Sequence, residues 1–260
     1  MILWKAASDD PLSKWDALMR SVEGPFTQAV EDEKNRYIQH AAETFPLNLR
    51  LTDTAFELHI VNMTTIAARY DGVAIRLGLH EALGGIKSVA SVLERKDGWE
   101  SLWLYLVRKW ISEYGAARAR ETAGTTRSDM QRIIDKALSA EEEFNPQQVA
   151  IQLLRAQAMS AYRAATVART ETHAAMMYAS EEGAAKTGRD NDVKLLKSWL
   201  PVQDERTRIN HAAMAGHPAI PMDDDFIVGG ARMKRPGDPR GGADNCINCR
   251  CVLTYKEDVA

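Results

Sequence analysis

Three cysteines fall within six positions near one end of the chain, Cys246, Cys249 and Cys251, and His211 and His217 precede them. Zinc takes soft ligands in a tetrahedron, so a Cys-x-x-Cys pair, one further cysteine and a distant histidine such as His211 form a possible set. The second Cys-x-x-Cys or His-x-x-x-His that would make this pattern specific is missing. The competing reading is a strand running into a small sheet, with the cysteines on opposite faces, one buried and one exposed. On that reading no cofactor is expected, and zinc stays the alternative.

A second group, Asp204, Arg206, Arg208 and His211, has the residue types of acid/base or nuclease chemistry. An aspartate and a histidine can make an oriented base, and arginines can hold a phosphate. On one helix, however, seven residues would set Asp204 and His211 about 10 Å apart, beyond hydrogen-bond reach. Asp204 is therefore expected to cap a brief helix ending at Gly216, with His211 packed beneath a sheet. Lys194, Lys197, Arg206, Arg208, Arg232, Lys234 and Arg235 make this half locally basic. They could give weak, salt-sensitive, sequence-blind contacts to phosphates, or simply be solvated strand faces. Pro236-Gly237-Asp238-Pro239 has the composition of a tight turn. Glycine-rich phosphate loops, His-Glu-x-x-His and Gly-x-Ser-x-Gly are absent from the sequence, which lowers the expectation of an enzyme.

These clusters come in a fixed order. Thr125-Thr126-Arg127 is followed by Arg169-Thr170-Glu171-Thr172, then Trp199 with Asp204-Glu205-Arg206-Thr207-Arg208 and His211. Pro236-Gly237-Asp238-Pro239 and Asn248-Cys249-Arg250-Cys251 complete the series. The set resembles the Mu F-like family of phage head-morphogenesis (minor capsid) proteins over about the second half of the chain, with Cys246 outside the family pattern. The resemblance implies a minor head protein, present in few copies, that joins the procapsid at or near the portal. It would take part in head assembly, genome packaging or delivery. Its implied partners are the portal protein and the scaffold or major capsid protein, with non-specific double-stranded DNA as a further contact and no membrane. The implied location is the host bacterial cytoplasm during assembly and then the virion head. Arg169, Thr170 and Glu171 also share residue types with ADP-ribosyltransferase sites, but two residues apart on a helix Arg169 and Glu171 point away from one another. Their expected role is to tie a long helix to the C-terminal sheet. With Trp199, Asp204, Arg206, His211, Gly216, Pro236, Gly237, Asp238, Cys249, Arg250 and Cys251, they are expected to hold the fold. The alternatives are a metal-assisted hydrolase or nuclease acting on DNA, and a zinc-stabilised DNA-binding module. The chain closes at Ala260, soon after the cysteines, so no appended effector is expected.

The elements that must position these residues are helical first and mixed afterwards. Trp15, Leu18, Met19 and Val22, and then Tyr37, Ile38, Ala41, Ala42 and Phe45, recur at helical spacing, with a break expected at Gly24-Pro25 and a stop at Pro46. From Asp53, the positions Phe56, Ile60, Met63, Ala67, Tyr70, Ala74 and Leu77 form a seam, read as an antiparallel hairpin with the first segment and closed by Gly84-Gly85. Trp99, Trp103, Leu106 and Trp110 read as core, and Gly115 with the Ala/Arg-rich residues after it as the edge of this layer or a connector. Thr126 is expected to cap the helix carrying Met130, Ile133 and Ile134, and Asn145-Pro146 to start the next, with Gln148 in a box-like position. That helix would run through the Ala-rich stretch to a stop at Gly188, with a bend near Met159-Ser160. A strand over 193–200 ending at Pro201, a Phe226–Val228 hairpin turning on Gly229-Gly230, and a last strand over 251–255 follow.

The expected class is thus α+β, a predominantly helical N-terminal half with a long helix leading into a small, mainly antiparallel C-terminal module. The boundary is placed at 120, giving a helical region over 1–120 and a Mu F-like domain over 121–260. With 260 residues, 45% of them hydrophobic, the chain can bury a core. Its 33 Lys+Arg against 36 Asp+Glu give no global basicity to draw it onto nucleic acid. No run of about 18 uncharged apolar residues spans a bilayer, and Met1-Ile2-Leu3-Trp4-Lys5 is too short for a secretory signal, so a soluble protein made in the cytoplasm is expected.

Overall fold

The computed structural model of the chain describes residues 10–86, 96–140, 144–156 and 160–258. The helices are α1 (Pro11–Asn48), α2 (Asp53–Gly84), α3 (Lys96–Trp110), α4 (Ala116–Leu138), α5 (Pro146–Arg155) and α6 (Ser160–Asp190). Then come β1 (Leu195–Leu200), a single turn α7 (Ile209–Ala212), β2 (Ile220–Pro221), β3 (Phe226–Val228), β4 (Ala231–Met233), a 3-10 turn Pro239–Gly241, α8 (Gly242–Cys246) and β5 (Val252–Glu257). The class is α+β, with a small antiparallel sheet module at the C-terminal end. The chain divides into two compact units, each discontinuous in sequence. One, the mixed unit, draws on Met1–Glu23, Tyr70–Trp110 and Arg169–Ala260; the other, the helical unit, on Gly24–Arg69 and Ile111–Ala168.

In the helical unit, Tyr37, Ile38, Ala41, Ala42 and Phe45 of α1 pack with Met130 and Ile134 of α4 and Val149 and Leu153 of α5. Glu33 accepts a bond from Asn62 at 3.1 Å and lies 3.0 Å from His59 Nδ1, while the Tyr37 ring stacks on His59 and meets Phe56. Partners that descend along α2 as α1 ascends make these segments antiparallel, the hairpin the seam predicts. Asn145 caps α5, its side chain accepting from the Gln147 and Gln148 amides at 3.0 and 3.2 Å with Pro146 in the first turn. Glycine and proline signals upstream were overridden. Pro25 lies inside α1, and α1 continues through Pro46 to Asn48. Val22, Phe26 and Val30 recur every four residues across Pro25, none more than 3% exposed. Burying them, at about 1.5–3 kcal/mol each, outweighs the roughly 3 kcal/mol cost of an interior proline.

Of the layer edge or connector expected at Gly115, the connector is not found, because a π-helical turn over Ile111–Gly115 joins α3 to α4. Thr126 is not a cap but sits inside α4, where its hydroxyl bonds the Thr122 carbonyl at 3.3 Å, the alternative such a side chain always has.

In the mixed unit, the aromatic stripe of α3 is core at Leu106 and Trp110, while Trp99 and Trp103 are half-buried at its edge. The Trp110 and Trp103 indoles donate to Asp71 Oδ2 (2.7 Å) and the Gly72 carbonyl (3.0 Å). Small residues let helices meet: a Cβ on Gly78 would stand 2.4 Å from the Met176 carbonyl oxygen of α6. Helix α5 ends at Arg155 and α6 starts at Ser160; of the bend expected there, Met159 lies outside the described residues. Gly188 does not stop α6, which runs to Asp190, with Asp192 taking the left-handed conformation (φ 53°). Gly188 instead lets the returning chain close in, since Val193 N–H donates to its carbonyl at 2.8 Å and a Cβ there would lie 2.9 Å from the Val193 oxygen.

Strand β1 is central, antiparallel to β2 on one side and to β5 on the other, with Trp199 opposite Leu253 and Lys197 opposite Tyr255. Strand period puts Leu195, Lys197 and Trp199 on its buried face. The β3–β4 hairpin turns on Gly229 and Gly230, both with positive φ (57° and 83°), as two-residue hairpins require.

Candidate functional site

The site grows from the chain just before β5. Asn248 has a positive φ of 55°, tolerable for an asparagine, and is pinned there from α6. Its amide N–H donates to Thr170 Oγ1 at 3.2 Å and its side-chain oxygen accepts from Arg169 at 3.2 Å. Three residues on, His173 Nε2 lies 2.8 Å from the Cys251 carbonyl. Arg169, Thr170 and His173, neighbours on α6, therefore set where Cys249 and Cys251 go; Glu171 points from a different face of the helix.

Cys249, Cys251 and His211 are each 2% exposed. The two cysteines do not face opposite ways as expected: residues two apart in an extended chain share a face, and both sulfurs lie against His211 Nδ1, Cys251 at 3.4 Å and Cys249 at 3.7 Å. These three ligating atoms lie within 4.8 Å of one another, a grouping able to hold a metal ion. Cys246 is not brought in; also buried, it donates its thiol to the Asp238 carbonyl at 2.9 Å. Among the thiols, the bond from Cys249, offset by burial and aided by His211, holds Cys251 below the usual thiol range. The same bond together with burial pushes Cys249 well above it.

His211 is supplied by α7 and framed by Trp199, whose ring meets it edge-on at 5.6 Å and meets Phe226 at 5.5 Å. Asn210 accepts from the His211 amide and donates to Asn245 at 2.6 Å, tying α7 to α8. Gly216, expected to end the helix here, has φ 74° in the turn beyond it.

Asp204 is not a helix cap; Arg208 holds that position on a helix of only four residues. Asp204 instead closes its own turn, accepting from the Arg206 amide and Thr207 hydroxyl, and takes a two-pronged bond from Arg250 at 2.6 and 2.7 Å. The Arg250 guanidinium holds its carboxyl well below the usual carboxylate range. Such a carboxylate is a poor proton acceptor. Arg208 donates to the Ile247 carbonyl at 2.6 Å, so the loop is clamped at two points. Asp238 is likewise occupied. Despite its burial, bonds from Arg240 and from the Lys234 and Arg240 amides hold it below the usual range. Gly237 (φ 74°) passes so close to α6 that a Cβ would lie 3.2 Å from Ala174 Cα.

Two of the seven cations expected as phosphate contacts are interior. Lys197, on the inward face of β1, is fully buried, donates to the Lys234 carbonyl at 3.0 Å and pairs with Glu181 at 3.6 Å. Arg235, 3% exposed, pairs with Glu181 at 3.4 Å. Neither reaches solvent. Lys194, Arg206 and Arg232 are exposed, with Arg232 bound to Asp225, and Arg208 and Lys234 are half-buried. Glu181, the anion of this buried trio, and His173 were missed from the sequence. Both lie in an Ala-rich helix whose period gives no sign of what faces them.

A family model described as Phage Mu protein F like protein matches residues 116–254. No curated protein and no solved structure matches the chain.

Proposed function

This chain belongs to the phage Mu protein F-like family, and from that premise we propose that it is a head-morphogenesis protein, a minor component that joins the head near the portal by protein contacts. One observation carries the reading: the signature polar residues are consumed by the fold. Arg169 and Thr170 hold Asn248, Arg250 holds Asp204, and Asp238 holds the backbone of its own turn. A catalytic carboxylate needs a proton affinity matched to its task, and Asp204 and Asp238 are both held the other way. Large apolar side chains remain outside on helices, among them Leu58 and Val61 of α2, Ile151 and Leu154 of α5 and Tyr162 of α6. Such residues suit docking on another helical protein. Among the described residues no helix is long and apolar enough to cross a membrane. Contacts with packaged DNA would fall to Lys194, Arg206 and Arg232, and would weaken steeply with salt.

Two measurements test the proposal. Mass spectrometry of purified heads should find the chain at low copy, and a tagged chain should capture the portal protein from an infected lysate. Heads that lack the polypeptide, and that form and fill normally when its gene is deleted, overturn it.

A further inference from the structure

We propose that His211, Cys249 and Cys251 bind one zinc ion through Nδ1 and the two Sγ atoms, pinning the loop that carries α7 to the start of β5. With Zn–N of about 2.0–2.1 Å and Zn–S of about 2.3 Å, a tetrahedral centre has N···S edges of about 3.5 Å. The two edges here are 3.4 and 3.7 Å. The ligands come from sites nearly forty residues apart, |i−j| = 38 and 40, and all three are buried.

One ring nitrogen faces two sulfurs, and it can make a good bond with only one of them; hydrogen bonding leaves the other sulfur to the neighbouring cysteine, whereas a metal takes all three atoms together. A metal between them engages His211 Nδ1 and both sulfurs at once, and His211 Nε2, buried with no hydrogen-bond partner among the described residues, then carries the ring proton. Two thiolates would neutralise the dication, so the buried centre carries no net charge.

The surroundings are those of a supported metal centre. His173 holds the Cys251 carbonyl, Asn210 holds the His211 backbone, and Arg250, between the cysteines, is locked on Asp204. Such outer contacts fix ligand directions. No fourth histidine, cysteine or carboxylate joins the group among the described residues, and Cys246 is turned to Asp238. Beside the ligands, between Thr207, Asn248 and Arg250, is a recess of about 10 Å³. That is about the space one water takes, and water is the fourth ligand the geometry points to.

The test uses the whole chain purified under reducing conditions without chelator. It is independent of the head assignment, which is tested on virions, so either can fail alone. About one zinc per chain should survive gel filtration. Cobalt(II) exchanged for it should give thiolate-to-metal charge-transfer bands and the visible bands of a tetrahedral ion. Cys249→Ser and Cys251→Ser should each lose those bands, whereas Cys246→Ser keeps them. His211→Cys guards against misfolding of the serine variants: it keeps the ion, with charge-transfer absorption strengthened by a third thiolate. Chelation should lower the unfolding midpoint of the wild-type chain, and zinc should restore it. Wild-type protein that holds no zinc and gives no charge-transfer band with cobalt overturns the proposal. So does Cys246→Ser abolishing the bands as fully as Cys251→Ser.

Discussion

Lys34 and Lys197 are both buried to within 1% of complete, one in the helical unit and one in the mixed unit, and the fold treats them differently. Lys197 ends in a prepared place: Glu181 faces it, the Lys234 carbonyl accepts a hydrogen bond from it, and the Phe226 ring lies beneath it at 5.6 Å. Lys34 Nζ has no hydrogen-bond partner among the described residues, and the nearby Asp129 is already held by Arg132 and Arg163. Burial lowers the proton affinity of both. The contrast extends to the surroundings. Around Lys34 the unit is built on apolar side chains recurring at helical period. The module around Lys197 is stitched by polar contacts between residues far apart in sequence, such as Thr170 to Asn248, His173 to Cys251 and Ser180 to Tyr255. Aliphatic packing carries an unmatched charge as a local cost, while in the polar network the loss of one partner orphans others, and Arg235 Nε and Nη2 already lack hydrogen-bond partners among the described residues.

The sharpest way to break this comparison is to remove the shared anion of the module. Glu181→Ala removes the carboxylate that pairs with both Lys197 and Arg235, and orphaning a buried pair costs about 3–5 kcal/mol. Denaturant unfolding should register that loss, and a change below roughly 1 kcal/mol would mean the trio is hydrated and the network is not what holds the module. The opposite sign is expected at the other lysine. Lys34→Met should stabilise at neutral pH by on the order of 1–3 kcal/mol, because nothing is orphaned and a desolvated charge is lost.

The same lysine predicts a pH dependence. Burial, reinforced by Arg163, lowers the Lys34 value from 10.5 to about 8. Between those values the unfolded chain holds the proton and the folded chain does not, so stability should rise as pH climbs through that window. Each pH unit is worth at most about 1.4 kcal/mol. The rise should shrink in Lys34→Met to the part that Lys197, lowered in the same direction, contributes, and a rise undiminished by the substitution would assign it to another group.

How much of this was legible follows the same divide. Helical period located the Tyr37–Phe45 stripe, the hairpin with α2 and the indoles of α3, and Asn145-Pro146 marked a start that the cap geometry reproduces. Local breakers misled where burial on both sides outweighed them, as at Pro25, Gly115 and Thr126. Lys197 was read as a surface cation, although strand alternation with Leu195 and Trp199 already pointed it inward. In the module the ordered clusters identified the family but not their own contacts. Nothing local to Asp204 announces Arg250, 46 positions away, and His211 meets the cysteines only through the loop closures that Asn248 and Asn210 make.

Smaller effects sharpen the comparison from each side. Asn145→Ala removes two bonds to the first turn of α5 and should cost about 1 kcal/mol. It acts on one helix terminus of the helical unit, and Asn145→Asp should restore most of the loss. In the module, Asp204→Asn should be nearly silent in overall stability, since exposed ion pairs contribute little. Its effect should instead be local. Arg250 loses its charged anchor, and the turn over 204–207 keeps the Thr207 amide bond to the residue 204 carbonyl, the Thr207 hydroxyl bond to the Val202 carbonyl and a weaker side-chain acceptor. Amide exchange should therefore quicken over residues 202–208 and not in α4 or α5, whose core lies in the other unit. Acid should mimic the substitution: with its proton affinity held low by Arg250, Asp204 contributes at neutral pH and loses that contribution as pH falls below the ordinary carboxylate range. Exchange in this loop that is the same in wild type and Asp204→Asn would mean that Arg208, bound to Ile247, fixes it alone, and that the Asp204–Arg250 pair of the family signature is kept for a partner rather than for the fold.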